Sequence, residues 1–144
     1  DLALPGLRTL PLRAEAQRRS ALAFARWLDA DPRVARVDYP GLATIPAILA
    51  ARQQDGFGQL ISLELARNSP DPREVVSALE IFSLAQSLGG VESLCCIPAL
   101  MTHASMSPEA RAEAGVADSL IRLSIGLESA ADQIADLDRA LSVA

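Results

Sequence analysis

The chain has 144 residues, 50% of them apolar and 22% charged, with a net charge of −5. That length fits one domain with enough apolar material for a core. The acidic balance excludes a nucleic-acid binder, which needs cation clusters against phosphates, and no apolar run approaches the ~20 residues that cross a bilayer. All thirteen basic residues are arginine, so chemistry that needs a lysine amine lies outside this chain. Cys95 and Cys96 are adjacent, a spacing that rarely bridges, so a disulfide scaffold is excluded and a reducing cytoplasm is expected. The sequence starts at Asp1 rather than Met and shows no signal-peptide pattern, which suggests a piece of a longer, non-exported protein.

Residues 1–10, DLALPGLRTL, carry Pro5 and Gly6 and read as a lead-in segment. From Pro11 to about Asp29 the pattern is helical, with Ala21, Phe24, Ala25 and Leu28 on one apolar face. Asp31-Pro32 stops it. VARVDY (34–39) alternates weakly and reads as a strand near an edge, and Tyr39-Pro40-Gly41 turns the chain. A short helix is expected over 44–54, ended by Asp55-Gly56. QLISLEL (59–65) is the cleanest strand, with Ile61, Leu63 and Leu65 facing one way. Asp71-Pro72 starts a helix, with Asp at the N-cap and Pro at the first position.

IFSLA (81–85) and ESLCCI (92–97) read as two successive strands joined by SLGGVES (87–93). Ser107-Pro108-Glu109 caps a short helix closed by Gly115. LIRLSIG (120–126) is a further strand, and a last helix starts near Ser129 and buries Ile134, Leu137 and Leu141. Several strands follow one another without room for a crossover helix, so part of the sheet should pair antiparallel. The expected class is α+β: a small, largely antiparallel sheet with helices packed mainly on one face.

Arg122 is the first candidate for a site. In LIRLSIG it shares a face with Leu120 and Ser124, a permanent cation in mid-strand among apolar neighbours. A guanidinium grips a carboxylate through two parallel bonds, a geometry lysine cannot copy. The plainer reading is a solvent-facing arginine or a structural ion pair. SLGGVES is a poor phosphate cradle, because a strand-like segment rather than a helix follows its glycines. It is either a plain connection or a turn that brings Ser87 to a ligand. His103 stands alone, with no metal pattern around it, and reads as a hydrogen-bonded structural residue. Cys95 and Cys96 lie in an apolar run and should be buried and inert. Glu92 and Glu128 would suit a general acid/base pair, but nothing in the sequence sets their separation.

SLGGVESL (87–94), PALMTHAS (98–105) and LIRLSIGLE (120–128), in that order, resemble the C-terminal domain of the Cys/Met-metabolism PLP-dependent enzymes, the transsulfuration enzymes. GLRTLPLR (6–13), YPGL (39–42) and ARQQDGFG (51–58) match the same family, so the resemblance runs along essentially the whole chain. ARQQDGFG, residues 101–116 and the QIADLDRAL ending (133–141) lean toward the cystathionine γ-synthases.

The resemblance implies a fold-type I C-terminal domain over residues 1–144. Ser87 and Arg122 would hold the substrate α-carboxylate, Thr102 would lie close by, and Gln86 would line the substrate pocket where synthases and γ-lyases often have glutamate. The family's Schiff-base lysine and its other cofactor contacts lie upstream, in a large pyridoxal 5'-phosphate (PLP) domain that this chain does not include. The expected whole is therefore a cytoplasmic homotetramer that acts on an amino acid by γ-replacement on an O-acyl-homoserine, and the isolated chain should be inactive. Two alternatives stand beside it. One is elimination chemistry of the cystathionine γ- or β-lyase or methionine γ-lyase kind. The other is a free-standing, non-catalytic amino-acid-binding or assembly module.

Overall fold

The computed structural model describes residues 2–42 and 45–142. In chain order the elements are α1 (Ala3–Asp29), β1 (Val34–Asp38), α2 (Ile45–Gln53), β2 (Leu60–Leu65), α3 (Pro72–Ala78), β3 (Ser83–Leu84) and β4 (Leu94–Cys96). A 3-10 turn (Pro98–Leu100), α4 (Pro108–Glu113), β5 (Leu120–Ser124) and α5 (Ala130–Ala140) complete the chain. Residue 44, on which the expected second helix would open, lies outside the described residues.

The five strands form one sheet in the order β1-β2-β5-β4-β3. Three pairings are antiparallel, and β3–β4 is parallel. That is the α+β architecture the sequence implies, with β1 at an edge as expected. Alternation assigns the two faces of the sheet. Ile61, Leu63 and Leu65 of β2, Ile121 and Leu123 of β5 and Cys95 of β4 belong to the buried core. Phe24, Ala21, Ala25 and Leu28 of α1, Val75 of α3 and Leu137 of α5 close over that face. Phe24 meets Trp27 and Phe82 edge to face, at centroid distances of 5.7 and 5.9 Å. Each fully buried Phe or Leu here stabilises the fold by about 1.5–3 kcal/mol. The opposite face carries the polar alternates: Ser62 and Glu64 of β2, Arg122 and Ser124 of β5, and Cys96 of β4.

Two expectations need correction. Residues 3–10 are not a lead-in segment, because α1 begins at Ala3 and runs through Pro5, Gly6 and Pro11. Pro5 falls in the first turn, where its missing N–H would have had no helical partner. At Pro11 one backbone bond is lost, and the exposed turn is braced by side chains: Thr9 Oγ1 donates to the Gly6 carbonyl at 3.3 Å and Arg13 Nη2 donates to it at 2.9 Å. The second correction concerns IFSLA, of which only Ser83 and Leu84 pair as strand, parallel to Leu94 and Cys95. The 85–93 connection holds no helix, yet it returns the chain in the same direction. Two-residue strands need only a short loop-back, and other contacts hold that loop in place.

The starts of α3 and α4 follow the sequence closely. Asp71 caps α3 by accepting from Arg73 N, and Glu74 returns the bond to complete a capping box. Ser107 caps α4 by accepting from Ala110 N. Buried Asp136 of α5 accepts from the N–H groups of Glu80 (3.0 Å) and Ile81 (2.8 Å), which fixes the chain just before β3.

Candidate carboxylate site

Arg122 stands in the middle of β5, opposite Ser62 of β2 and Cys96 of β4, on the sheet face turned away from α1, α3 and α5. It is half-buried, and its Nη2 donates to the main-chain carbonyl of Gln86 at 2.9 Å. Among the described residues it has no ion pair, whereas Arg33, Arg36, Arg111 and Arg139 are each held by carboxylates. A guanidinium carries five N–H donors in a flat fork. One is used here, so the rest remain for a carboxylate gripped through two parallel bonds.

Ser87 follows the carbonyl that Arg122 holds, so the fold brings together two residues 35 positions apart in the chain. Gln86 and Ser87 are both exposed. The loop they open is tied along its length to the end of β5. Gly89 N donates to Ser124 Oγ at 2.9 Å, and Leu127 N donates to the Val91 carbonyl at 2.8 Å. Gly89 has φ +79°, a conformation that favours glycine. From behind, the amide of buried Gln17 on α1 donates to the carbonyls of Gly90 (2.7 Å) and Ile125 (3.1 Å).

The far end of the loop is locked by a carboxylate. Glu128 accepts from Ser93 N and from Ser93 Oγ, each at 2.8 Å, and from Gln133 Nε2 at 3.2 Å. Ser93 Oγ in turn accepts from Gly126 N at 2.9 Å and from Gln133 Nε2 at 3.0 Å. Burial pushes the Glu128 carboxyl up, but the bonds from Ser93, from its own N–H and from Gln133 prevail and hold it below its ordinary value. A side chain on Gly126 would meet Ser93 N at 2.5 Å and the Glu92 carbonyl carbon at 2.6 Å, so two segments cross there at glycine distance. Glu128 is thus committed to Ser93 while Glu92 is exposed, and the two carboxyls do not form the acid/base pair that their residue types suggested.

Thr102 is not tied to Arg122, Ser87 or Gln86 by any hydrogen bond among the described residues. It is exposed and pairs with His103 Nδ1 at 2.8 Å. His103 N also donates to the Pro98 carbonyl at 2.8 Å. Both cysteines are free and buried, and burial pushes Cys95 up to about 12. A hollow of about 390 Å³ lies elsewhere, between α1 and the 55–58 turn, lined by Glu15 and Arg18 rather than by Arg122. Gln17, Ser93 and Ser124 escaped the sequence reading. The one signal for them was polarity out of place: Gln17 heads an apolar helical stripe, and Ser124 shares a strand face with Arg122.

The sequence profile of the family described as Cys/Met metabolism PLP-dependent enzyme matches residues 2–142. The chain belongs to that family. Among Cys/Met-metabolism PLP-dependent enzymes, the cystathionine gamma-synthase of Escherichia coli (strain K12) is 45% identical over 144 residues, covering 99% of this chain and 37% of that protein. The cystathionine gamma-lyase of Dictyostelium discoideum is 43% identical over 141 residues, covering 97% of this chain and 36% of that protein. The crystal structure of cystathionine gamma synthase from Xanthomonas oryzae pv. oryzae in complex with cystathionine matches with a TM-score of 0.91 at 53% identity, covering 98% of this chain and 37% of that chain. The chain therefore spans a little over a third of the length of the relatives it matches. The cofactor implied by the family name is held as an imine on a lysine, and the sequence contains no lysine. The residues present do not fit the anchor of that group.

Proposed function

We propose that this chain is the substrate-carboxylate domain of a PLP-dependent transsulfuration enzyme of the cystathionine γ-synthase kind. The observation that carries this reading is the half-buried Arg122 guanidinium, without an acidic partner among the described residues and braced on the carbonyl next to Ser87. Arg122 binds and orients the α-carboxylate, Ser87 supplies a hydroxyl to it, Thr102 lines the approach, and exposed Gln86 faces the rest of the substrate without a negative charge. PLP, when bound by the remainder of the enzyme, supplies the electron sink. The intact protein replaces the γ-substituent of an O-acyl-homoserine with cysteine, as a cytoplasmic homotetramer, and the chain alone forms no imine and is inactive. The choice of synthesis over elimination rests on the ARQQDGFG, 101–116 and QIADLDRAL segments, since a curated γ-synthase and a curated γ-lyase are each 45% identical to the chain.

The test is a product assay on the full-length enzyme with O-acyl-homoserine and cysteine. Cystathionine as the main product supports the reading, while 2-oxobutyrate or pyruvate as the main product assigns a lyase instead. The missing lysine also favours a second reading, a free-standing binding module. Calorimetry of the chain with amino acids and with PLP separates the two. Tight amino-acid binding by the chain alone supports the module, and no binding supports half of a larger site.

A further inference from the structure

We propose that Ser124 is a positioning residue for the carboxylate site, the second post of a clamp whose first post is Arg122. The inference rests on the reading of Arg122 and Ser87 as carboxylate ligands. Arg122 and Ser124 project from the same face of β5, two residues apart. Arg122 holds the carbonyl that opens the turn, at Gln86, and Ser124 holds the N–H that closes it, at Gly89. Ser87 sits between the two ties.

A serine at this point of a strand has to be explained. Ser124 is 2% exposed, and its cross-strand neighbours are Leu60 and Leu94. A buried hydroxyl costs free energy unless it is hydrogen-bonded, and a β-branched apolar residue would suit the strand better. Its bond partner is the Gly89 N–H, at 2.9 Å. Gln17 completes the restraint from the helix side, with both amide protons used on carbonyls, one of them that of Gly90. Three side chains thus fix three main-chain groups within residues 86–90. Exposed loops are ordinarily mobile, and a substrate ligand on a loop is useful only when it is held in place before the substrate arrives. Ser124 and Gln17 touch no substrate, and they act through the position of Ser87 and of the Arg122 fork.

The test compares kcat/KM for an amino-acid substrate with that for its α-carboxamide in the full-length enzyme. Loss of one hydrogen bond to the turn should lower the carboxylate value about tenfold in Ser124→Ala. The carboxamide value should stay within about twofold, because its binding does not use the charge on the fork. Ser124→Thr should restore the carboxylate preference, and Gln17→Leu should reduce it as Ser124→Ala does. In the 144-residue chain, the Gly89 amide should exchange with solvent faster in Ser124→Ala than in the wild type. Equal losses on both substrates in Ser124→Ala and Gln17→Leu, alongside a collapsed preference in Arg122→Gln, would overturn the clamp and leave the carboxylate reading standing. An unchanged preference in Arg122→Gln, which removes the charge, would overturn both.

Discussion

Replacing Glu128 with glutamine tests the lock on the loop. The carboxylate accepts three bonds, from Ser93 N and Ser93 Oγ at 2.8 Å each and from Gln133 Nε2 at 3.2 Å. An amide keeps one acceptor oxygen. With that oxygen toward Ser93 N, the new NH2 faces a hydroxyl that already accepts from Gly126 N and Gln133, so the Ser93 hydroxyl proton loses its acceptor. The net loss is about one charge-assisted bond, or about 2 kcal/mol, which lowers Tm by roughly 4–8 °C for a domain of this size. The pH dependence has a definite sign. Burial alone would raise the Glu128 pKa, but the Ser93 and Gln133 bonds prevail and lower it. A lowered carboxyl stabilises the fold above its unfolded pKa of about 4.3 and loses that contribution as pH falls through the folded value. Urea titrations of the chain and of Glu128→Gln should therefore differ at pH 7 and converge as the pH drops below about 4. Equal stability at pH 7, or an undiminished gap in acid, would refute the reasoning.

Three further outcomes are expected. Gly126→Ala should cost about 1–3 kcal/mol in urea titration, because its Cβ meets the Glu128 carboxylate, which is itself bonded to Ser93, and also the backbone of Glu92 and Ser93, which cannot swing away. Asp71→Ala should cost about 1 kcal/mol by the same measurement, through loss of the α3 capping box. Cys95 and Cys96, each 1% exposed and with raised thiol pKa values, should resist Ellman's reagent at pH 8 until urea unfolds the chain. Prompt labelling of the folded chain would contradict their placement.

The strands built on strict alternation were legible because one face is buried. QLISLEL and LIRLSIG show their period in the sequence, and the structure buries Ile61, Leu63, Ile121 and Leu123 together. The start of α3 was legible in Asp71-Pro72 because its cap is a local bond. The start of α1 was not, since Pro5, Gly6 and Pro11 argue against a helix and the Arg13 brace on Gly6 is not visible in a residue pattern. The parallel pairing of β3 with β4 was hidden for a related reason. A two-residue strand has no period, and the chain that enters it is held by Asp136, 55 positions away from Ile81. In the site, Arg122 was legible as a charge out of pattern and SLGG as a turn. Their union was legible only through the family motifs, because the bond between them joins residues 36 apart. Ser93 and Glu128 likewise meet across 35 positions, and Gln17 acts across up to 108, to Ile125.

The most direct test of the account is Arg122→Lys in the full-length enzyme, with kcat/KM read beside the absorbance of bound PLP. Lysine keeps the charge but not the fork, so one charge-assisted bond is lost, and kcat/KM should fall roughly ten- to hundredfold. The PLP absorbance should stay unchanged, because the chain supplies no anchor for that group. An unchanged kcat/KM would remove Arg122 from the site and contradict the account.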